Sequence, residues 1–194
     1  MDNKYKVKYK VDFHTDWHCG SGLAAGADVD ALVVKDKNNM PFIPGKTIKG
    51  LVREAVEEIR HIQGKNTDEV FINSFGFFDN KDEKKKGCMF FTNATLEENE
   101  YKAIISNEAS RFMYRNIAST AIDDNGIAKE HSLRKMEVVV PCTLFGTIHD
   151  VPKEMTEEIV KSFGFIKRIG QNRNRGLGRC TLLLESIEEE GGQQ

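Results

Sequence analysis

The sequence predicts an α+β domain with a ferredoxin-like, RNA-recognition-type βαββαβ core. Three observations predict it. Residues 5–14 alternate strictly, with Tyr5, Val7, Tyr9, Val11 and Phe13 on one side and Lys6, Lys8, Lys10, Asp12 and His14 on the other. That is the period of a half-buried strand. Ile48, Leu51, Val52, Ala55, Val56, Ile59 and Ile62 then recur at helical spacing and mark one buried face. After a long stretch of mixed polarity the strand–helix–strand order returns: Met136 to Ile148, a helix opened by Pro152, and a last strand from Cys180 to Ile187. Two such units make a four-stranded sheet under a pair of helices. The chain reads as one domain over residues 1–194, with its core at about 4–93 and 136–188 and an inserted excursion at about 94–135.

Between the first strand and the first helix, Trp17 to Ala27 is small and glycine-rich and is expected to form a loop. It leads through Asp28 and Asp30 into a short apolar run, Ala31 to Val34, with turns at Asn38-Asn39 and at Pro41 to Gly45. Thr47 is the expected N-cap of the first helix. Lys46, Lys49 and Arg53 share a second side of that helix, beside its positive end, which makes a candidate phosphate site. Val70 to Phe78 reads as a short aromatic turn of helix, Asp79 to Gly87 as a charged loop, and Met89 to Thr92 as a strand. Pro141 implies that the Met136–Ile148 strand is an edge or carries a bulge. The helix after Pro152 places Met155, Ile159, Phe163 and Ile166 on one face.

Composition narrows the function. With 194 residues, 39% hydrophobic and 30% charged, the chain has the make-up of a globular protein. No segment approaches the roughly 20 apolar residues of a membrane-spanning helix, and nothing resembles a signal peptide, so the cytoplasm is the expected location and no membrane partner is expected. A net charge of −2 excludes a generally basic nucleic-acid binder, so any such affinity must come from local clustering. Cys19, Cys88, Cys142 and Cys180 occur singly and read as small buried hydrophobes. His14, His18 and Cys19 lie close together, but no second cluster completes a set of four zinc ligands.

The densest local clustering is Gly170-Gln-Asn-Arg-Asn-Arg-Gly-Leu-Gly-Arg179. This composition suits neither helix nor strand. Gly170, Gly176 and Gly178 can take positive φ and bring main-chain amides close to a phosphate. Arg173, Arg175 and Arg179 add permanently charged forks that match phosphate oxygens. From Lys167 to Arg179 there are five cations and no acid. The bland alternative is a solvated loop before the last strand.

Four segments, in order, resemble the RAMP superfamily of CRISPR-associated proteins. The likeness is greatest to the guide-RNA-binding backbone subunits of type III effector complexes. The segments are His18-Cys-Gly-Ser-Gly22 running on to Asp30-Ala-Leu-Val-Val-Lys-Asp36; Pro41-Phe-Ile-Pro-Gly-Lys-Thr-Ile-Lys-Gly-Leu-Val-Arg53; Ser74-Phe-Gly76 with Gly87 to Thr92, Ile122 to Ala128 and Glu137 to Pro141; and the glycine-arginine loop. The resemblance implies that the first helix and the glycine loop hold a guide-RNA backbone, and that the excursion acts as a thumb kinking guide and complementary target RNA. It implies identical copies stacked along the guide beside other effector subunits. Lys46, Lys49, Arg53, Gly170, Arg173, Arg175, Gly176, Gly178 and Arg179 would then be the RNA-binding set. They would grip the backbone while base pairing supplies specificity.

In cleaving members of that family an aspartate after the first strand cuts target RNA with a divalent metal, and Asp30 matches its position. The resemblance therefore implies Asp30 as catalytic residue and metal ligand, with Mg²⁺ as the cofactor. Asp28 is the nearest confounder, and Asp36 belongs to the turn before Asn38. Two departures stand out: the chain is short for a backbone subunit, and Trp17-His18 could stack on a base. Two other functions compete. One is a noncatalytic RNA-binding scaffold or filament-end subunit; the other is a metal-independent guide-processing endoribonuclease using His14, His18, His131 or His149.

Overall fold

The computed structural model describes residues 3–23, 29–78 and 84–191. Asp28 and residues 79–83 of the expected charged loop lie outside them. In chain order the elements are β1 (Lys4–Phe13), α1 (Gly45–Ile62), α2 (Glu69–Phe75), β2 (Gly76–Phe78), β3 (Lys84–Lys86), β4 (Phe90–Phe91), α3 (Glu98–Ser106), β5 (Tyr114–Ser119), β6 (Arg134–Val139), β7 (Thr143–Pro152), α4 (Lys153–Phe163) and β8 (Cys180–Glu190). Short 3₁₀ turns lie at Ser110–Met113 and Arg173–Arg175.

The main sheet runs β4-β7-β1-β8, all antiparallel. As core strands that is the order second, third, first, fourth, the expected α+β ferredoxin-like arrangement. The alternation in β1 has its predicted effect: Val7, Tyr9 and Val11 are fully buried. Ile48, Val52 and Val56 of α1 and Met155 and Ile159 of α4 close over them, also without exposure. Each such side chain contributes about 1.5–3 kcal/mol on burial. Tyr9 packs its ring on Phe163 at 5.7 Å. A Cβ at Gly146 on the neighbouring strand would stand 2.3 Å from the Tyr9 hydroxyl, so that glycine makes room for the ring.

The opposite sheet face carries the lysines of β1. Each is matched to an acid: Lys4 to Asp150 at 2.7 Å, Lys8 and Lys6 to Glu188 at 2.6 and 3.9 Å, and Lys10 to Glu185 at 3.1 Å. An RNA-recognition-type core can present this face to RNA, but here it is an electrically closed surface.

Three local expectations are corrected. The first helix starts two residues before Thr47, and no side chain of its own caps it. Instead Asn93, next to β4, accepts the Gly45 amide at 2.9 Å. A Cβ at Gly45 would lie 2.1 Å from the Phe91 carbonyl, so glycine lets the helix start this close to the edge strand. Second, the strand expected over Met136–Ile148 is two strands. Pro141 ends the first, β6 pairs with β5 as a separate hairpin, and the chain joins the main sheet only at Thr143. Third, Lys84 to Lys86 of the expected loop form a strand against Gly76 to Phe78. Gly76 and Gly87 allow the close approach there, since a Cβ at Gly87 would meet Ser74 and Phe75 backbone at 2.4 Å. Among the cysteines, Cys19 and Cys180 are buried as expected, while Cys142 is partly covered and Cys88 is exposed.

Candidate nucleic-acid interface

The glycine-arginine loop is a flap closed at its base. Ile169 donates its amide to the Gly178 carbonyl at 2.9 Å, and Cys180 donates to Lys167 at 3.0 Å. The flap lies on the chain leaving β1: Gly178 donates to the Asp16 carbonyl at 2.7 Å, Gln171 to the His18 carbonyl at 2.9 Å, and Arg179 to the Thr15 hydroxyl at 3.0 Å. These contacts need glycine. Gly170 has φ 98° and a Cβ there would be 2.3 Å from the His18 carbonyl oxygen. Gly178 has φ 70° and a Cβ there would be 2.0 Å from the Ile169 carbonyl oxygen. The Gly178 amide, expected to be open to a phosphate, is thus committed to Asp16. Gly176, at φ 91° with nothing within 4 Å, is the exposed turn.

This docking holds the Arg173–Arg175 turn outward, and both arginines are exposed. Three clefts meet there. The first, about 380 Å³, lies between the start of α1 and the flap and includes Lys46, Thr47, Gly170 and Arg173. The second, about 700 Å³, follows the flap from Gly170 to Arg175 and reaches Arg134. The third, about 500 Å³, lies between flap and hairpin and includes Asp30, Ile117, Arg134, Met136, Asn172, Arg175 and Leu177. Shared lining residues make them one groove, from the positive end of α1 to Asp30. Among the described residues none of Lys46, Arg134, Arg173, Arg175 or Arg179 has an acidic partner within 4.0 Å.

Asp30 is exposed and fastened to β6 near the loop end of the β5–β6 ladder. Its Oδ2 accepts the Lys135 amide at 2.7 Å, and its own amide donates to the Lys135 carbonyl at 2.9 Å. Glu137 fixes the following segment, accepting the Val33 amide at 3.0 Å and the Lys35 ammonium at 2.7 Å. Asp36 belongs to its turn, accepting from the amides of Asn38 and Met40 and from the Tyr101 hydroxyl. Among the described residues no group of three or more His, Cys, Asp or Glu side chains is arranged to hold a metal ion. A single carboxylate such as Asp30 could hold Mg²⁺ only together with other oxygen ligands, such as substrate phosphates.

The predicted RNA-binding residues divide. Lys46, Gly170, Arg173 and Arg175 line the groove with Asp30. Lys49 and Arg53 lie further along the flank of α1, towards α2, and border none of the three clefts. Arg53 stands over the Phe71 ring at 5.8 Å and pairs with Glu57 at 3.0 Å. Burial pushes the Lys49 ammonium pKa down, and the nearby charges of Arg53 and Lys86 add to that. Arg179 is exposed at the base of the flap and borders none of the three.

Trp17 and His18 do not present a stacking surface. Trp17 is fully buried and stacked on Phe13 at 4.6 Å, and His18 is 1% exposed with Nδ1 on the Glu137 carbonyl at 2.6 Å. The other histidines named as possible catalysts are dispersed, with His14 bonded to Thr181 and His149 to Glu190. Sequence reasoning missed Arg134, which carries no motif of its own, and gave no separate role to Gln171 and Asn172 within the loop it singled out. It also missed Asp16, buried at 6% exposure, whose carboxylate receives Arg115 Nε at 2.6 Å and ties the hairpin to the core.

No curated protein matches this chain. Many solved chains share the fold, among them two from type III-B Cmr-beta. One, from a cryo-EM structure of type III-B Cmr-beta in the apo state, has a TM-score of 0.68 at 11% identity, covering 92% of this chain and 96% of that one. The other, from type III-B Cmr-beta bound to cognate target RNA, has a TM-score of 0.67 at 10% identity, covering 95% of this chain and 98% of that one. The RAMP superfamily model matches residues 10–181, from within β1 to the second residue of β8 and so across the whole groove. This chain belongs to the RAMP superfamily.

Proposed function

We propose that the chain is a guide-RNA-binding subunit of a type III CRISPR effector complex and cleaves guide-paired target RNA at Asp30 with a divalent metal. The observation that carries this is the single groove joining the start of α1, the Arg173–Arg175 turn and Asp30, lined by cations without acidic partners. Lys46, Arg173 and Arg175 neutralise successive phosphates and hold the strand without reading bases. The β5–β6 hairpin, fastened by Asp16 and Arg115, is the thumb, and copies of the chain stack along the guide beside other subunits.

In the groove Asp30 and RNA phosphate oxygens would hold Mg²⁺, which supplies charge stabilisation for a displacement at phosphorus. The hydrogen bond from the Lys135 amide fixes the Asp30 carboxylate at the mouth of the cleft, where it holds or accepts a proton from an RNA hydroxyl. That same bond favours a second reading. As an ordinary cap on the hairpin backbone, Asp30 would leave the chain a scaffold or filament-end subunit.

The test is cleavage of a guide-complementary RNA by the reconstituted complex, with Asp30 or Asp30→Ala, each with Mg²⁺ and with EDTA. Regularly spaced cuts lost with Asp30→Ala and with EDTA are expected. Intact RNA in every lane with binding retained makes the chain a scaffold. Cutting that survives EDTA returns the endoribonuclease reading.

A further inference from the structure

His18 carries a buried nitrogen that the fold leaves without a partner. Its Nδ1 lies 2.6 Å from the Glu137 carbonyl oxygen, which can only accept, so Nδ1 carries the ring proton. In the neutral ring Nε2 is then an acceptor. It is buried and makes no hydrogen bond. The ring is held in this orientation from both ends. The His18 carbonyl accepts the Gln171 amide at 2.9 Å, and the Glu137 amide donates to the Ala31 carbonyl at 3.0 Å. An acceptor left unpaired at this depth lowers stability, and a ligand that donates to it restores what was lost.

The ring borders the cleft at the start of α1, together with Gly20, Lys46, Thr47, Gln171 and Arg173. A Cβ at Gly20 would stand 3.1 Å from His18 Nε2 and 2.9 Å from the Gln171 side-chain nitrogen. Glycine therefore leaves room between an acceptor and a donor. Phosphate oxygens suit Lys46 and Arg173 but not this pair, because they have no proton to offer Nε2. A ribose hydroxyl suits both members, since it donates to the imidazole and accepts from the amide. The sugar of a backbone held by Lys46 and Arg173 carries that hydroxyl beside its phosphate.

We infer that His18 and Gln171 recognise a ribose 2′-hydroxyl of the RNA in the groove, with His18 Nε2 accepting its hydrogen bond and the Gln171 amide donating to its oxygen. The Gln171 side chain is exposed, and its rotation admits the hydroxyl to Nε2. The inference rests on the RNA-groove reading above and adds to its phosphate grip a contact that tells RNA from DNA. His18 acts as a binding residue, in a cleft that does not include Asp30.

The test compares the affinity of the full-length protein for an RNA strand and for the same sequence carrying 2′-fluoro sugars, which keep an RNA-like sugar shape and lack the hydroxyl donor. RNA is expected to bind about three- to tenfold tighter. His18→Asn keeps a donor for the Glu137 carbonyl and has no atom in place of Nε2. Gly20→Ala puts a methyl group between His18 and Gln171 on an exposed residue. Each should lose the difference between the strands and keep the salt dependence of binding. In the wild type, nitrogen NMR of the histidine rings should show His18 protonated on Nδ1, with Nε2 moving to the resonance of a hydrogen-bonded acceptor when RNA is added. That reading does not depend on any variant folding. Equal affinity for the two strands, a difference that survives both variants, or a protonated Nε2 overturns the hydroxyl contact and leaves the phosphate grip intact. A salt dependence that ignores Arg173→Ala, Arg175→Ala overturns the groove itself, and the hydroxyl contact with it.

Discussion

The two sides of the main sheet treat their cations in opposite ways. On the open face Lys4, Lys6, Lys8 and Lys10 each stand within 4.0 Å of a carboxylate. In the groove beside α1 and the flap, Lys46, Arg134, Arg173 and Arg175 have none among the described residues. Both surfaces belong to a chain of net charge −2. Neutralising one surface and leaving the other unpaired concentrates positive potential where the clefts are, so an overall negative protein can still attract a polyanion. Cationic residues alone do not mark a binding surface. Cations left unpaired beside a concave site do.

The largest expected effect breaks the groove by unseating the flap. Gly178→Ala adds a Cβ 2.0 Å from the Ile169 carbonyl oxygen at positive φ, and should cost about 2–4 kcal/mol. Thermal denaturation should show a fall of roughly 5–15 °C. A melting temperature within a degree of wild type would mean that the flap is not seated on β1 as described.

Next in size is the electrostatic contrast itself. Arg173→Ala, Arg175→Ala should flatten the slope of log affinity against log salt by roughly 1–2. Lys8→Ala, Lys10→Ala removes the same number of charges from the open face and should leave that slope unchanged. Because the Lys8 and Lys10 pairs are solvent-exposed and screened, their loss should leave stability nearly unchanged. Equal effects of the two double variants would erase the contrast.

The smallest effect concerns Arg60, a cation on the helix side that is paired because it is buried. It binds Glu158 at 2.7 Å and Asp68 at 2.9 Å. The Phe71 amide and then Arg60 hold the Asp68 carboxyl below its ordinary value of 3.8. With the folded pKa depressed, its stabilising contribution is complete above that ordinary value and is lost as pH falls towards the folded one. Asp68→Asn should therefore make acid unfolding slightly less steep below about pH 4, a small change because the carboxylate is largely exposed. An unchanged acid limb in chemical denaturation would remove Asp68 from that account.

Much of this was legible in one dimension. The alternation of residues 5–14, the apolar stripe of α1 and the return of strand–helix–strand after residue 136 specify the core, because burial on one face imposes its period directly on the sequence. The flap was legible as a special loop from its three glycines, though their use was not. Composition says that a backbone can bend or be approached, and only the fold shows that Gly170 and Gly178 are approached by the protein's own carbonyls. Trp17 and His18 illustrate the same limit. In a glycine-rich loop they read as available, yet they fill the space between β1 and the hairpin.

The sequence by itself determined the secondary elements of the core, the βαββαβ order and family membership, because these depend on local periodicity and on motifs a few residues long. Tertiary structure alone decided which cations share a groove. Lys46, Arg173, Arg134 and Asp30 are scattered across more than a hundred positions and meet only because β8 returns beside β1 and β6 carries Asp30 to the flap. Charge pairing and cleft shape are properties of distances through space, and distance along the chain does not encode them.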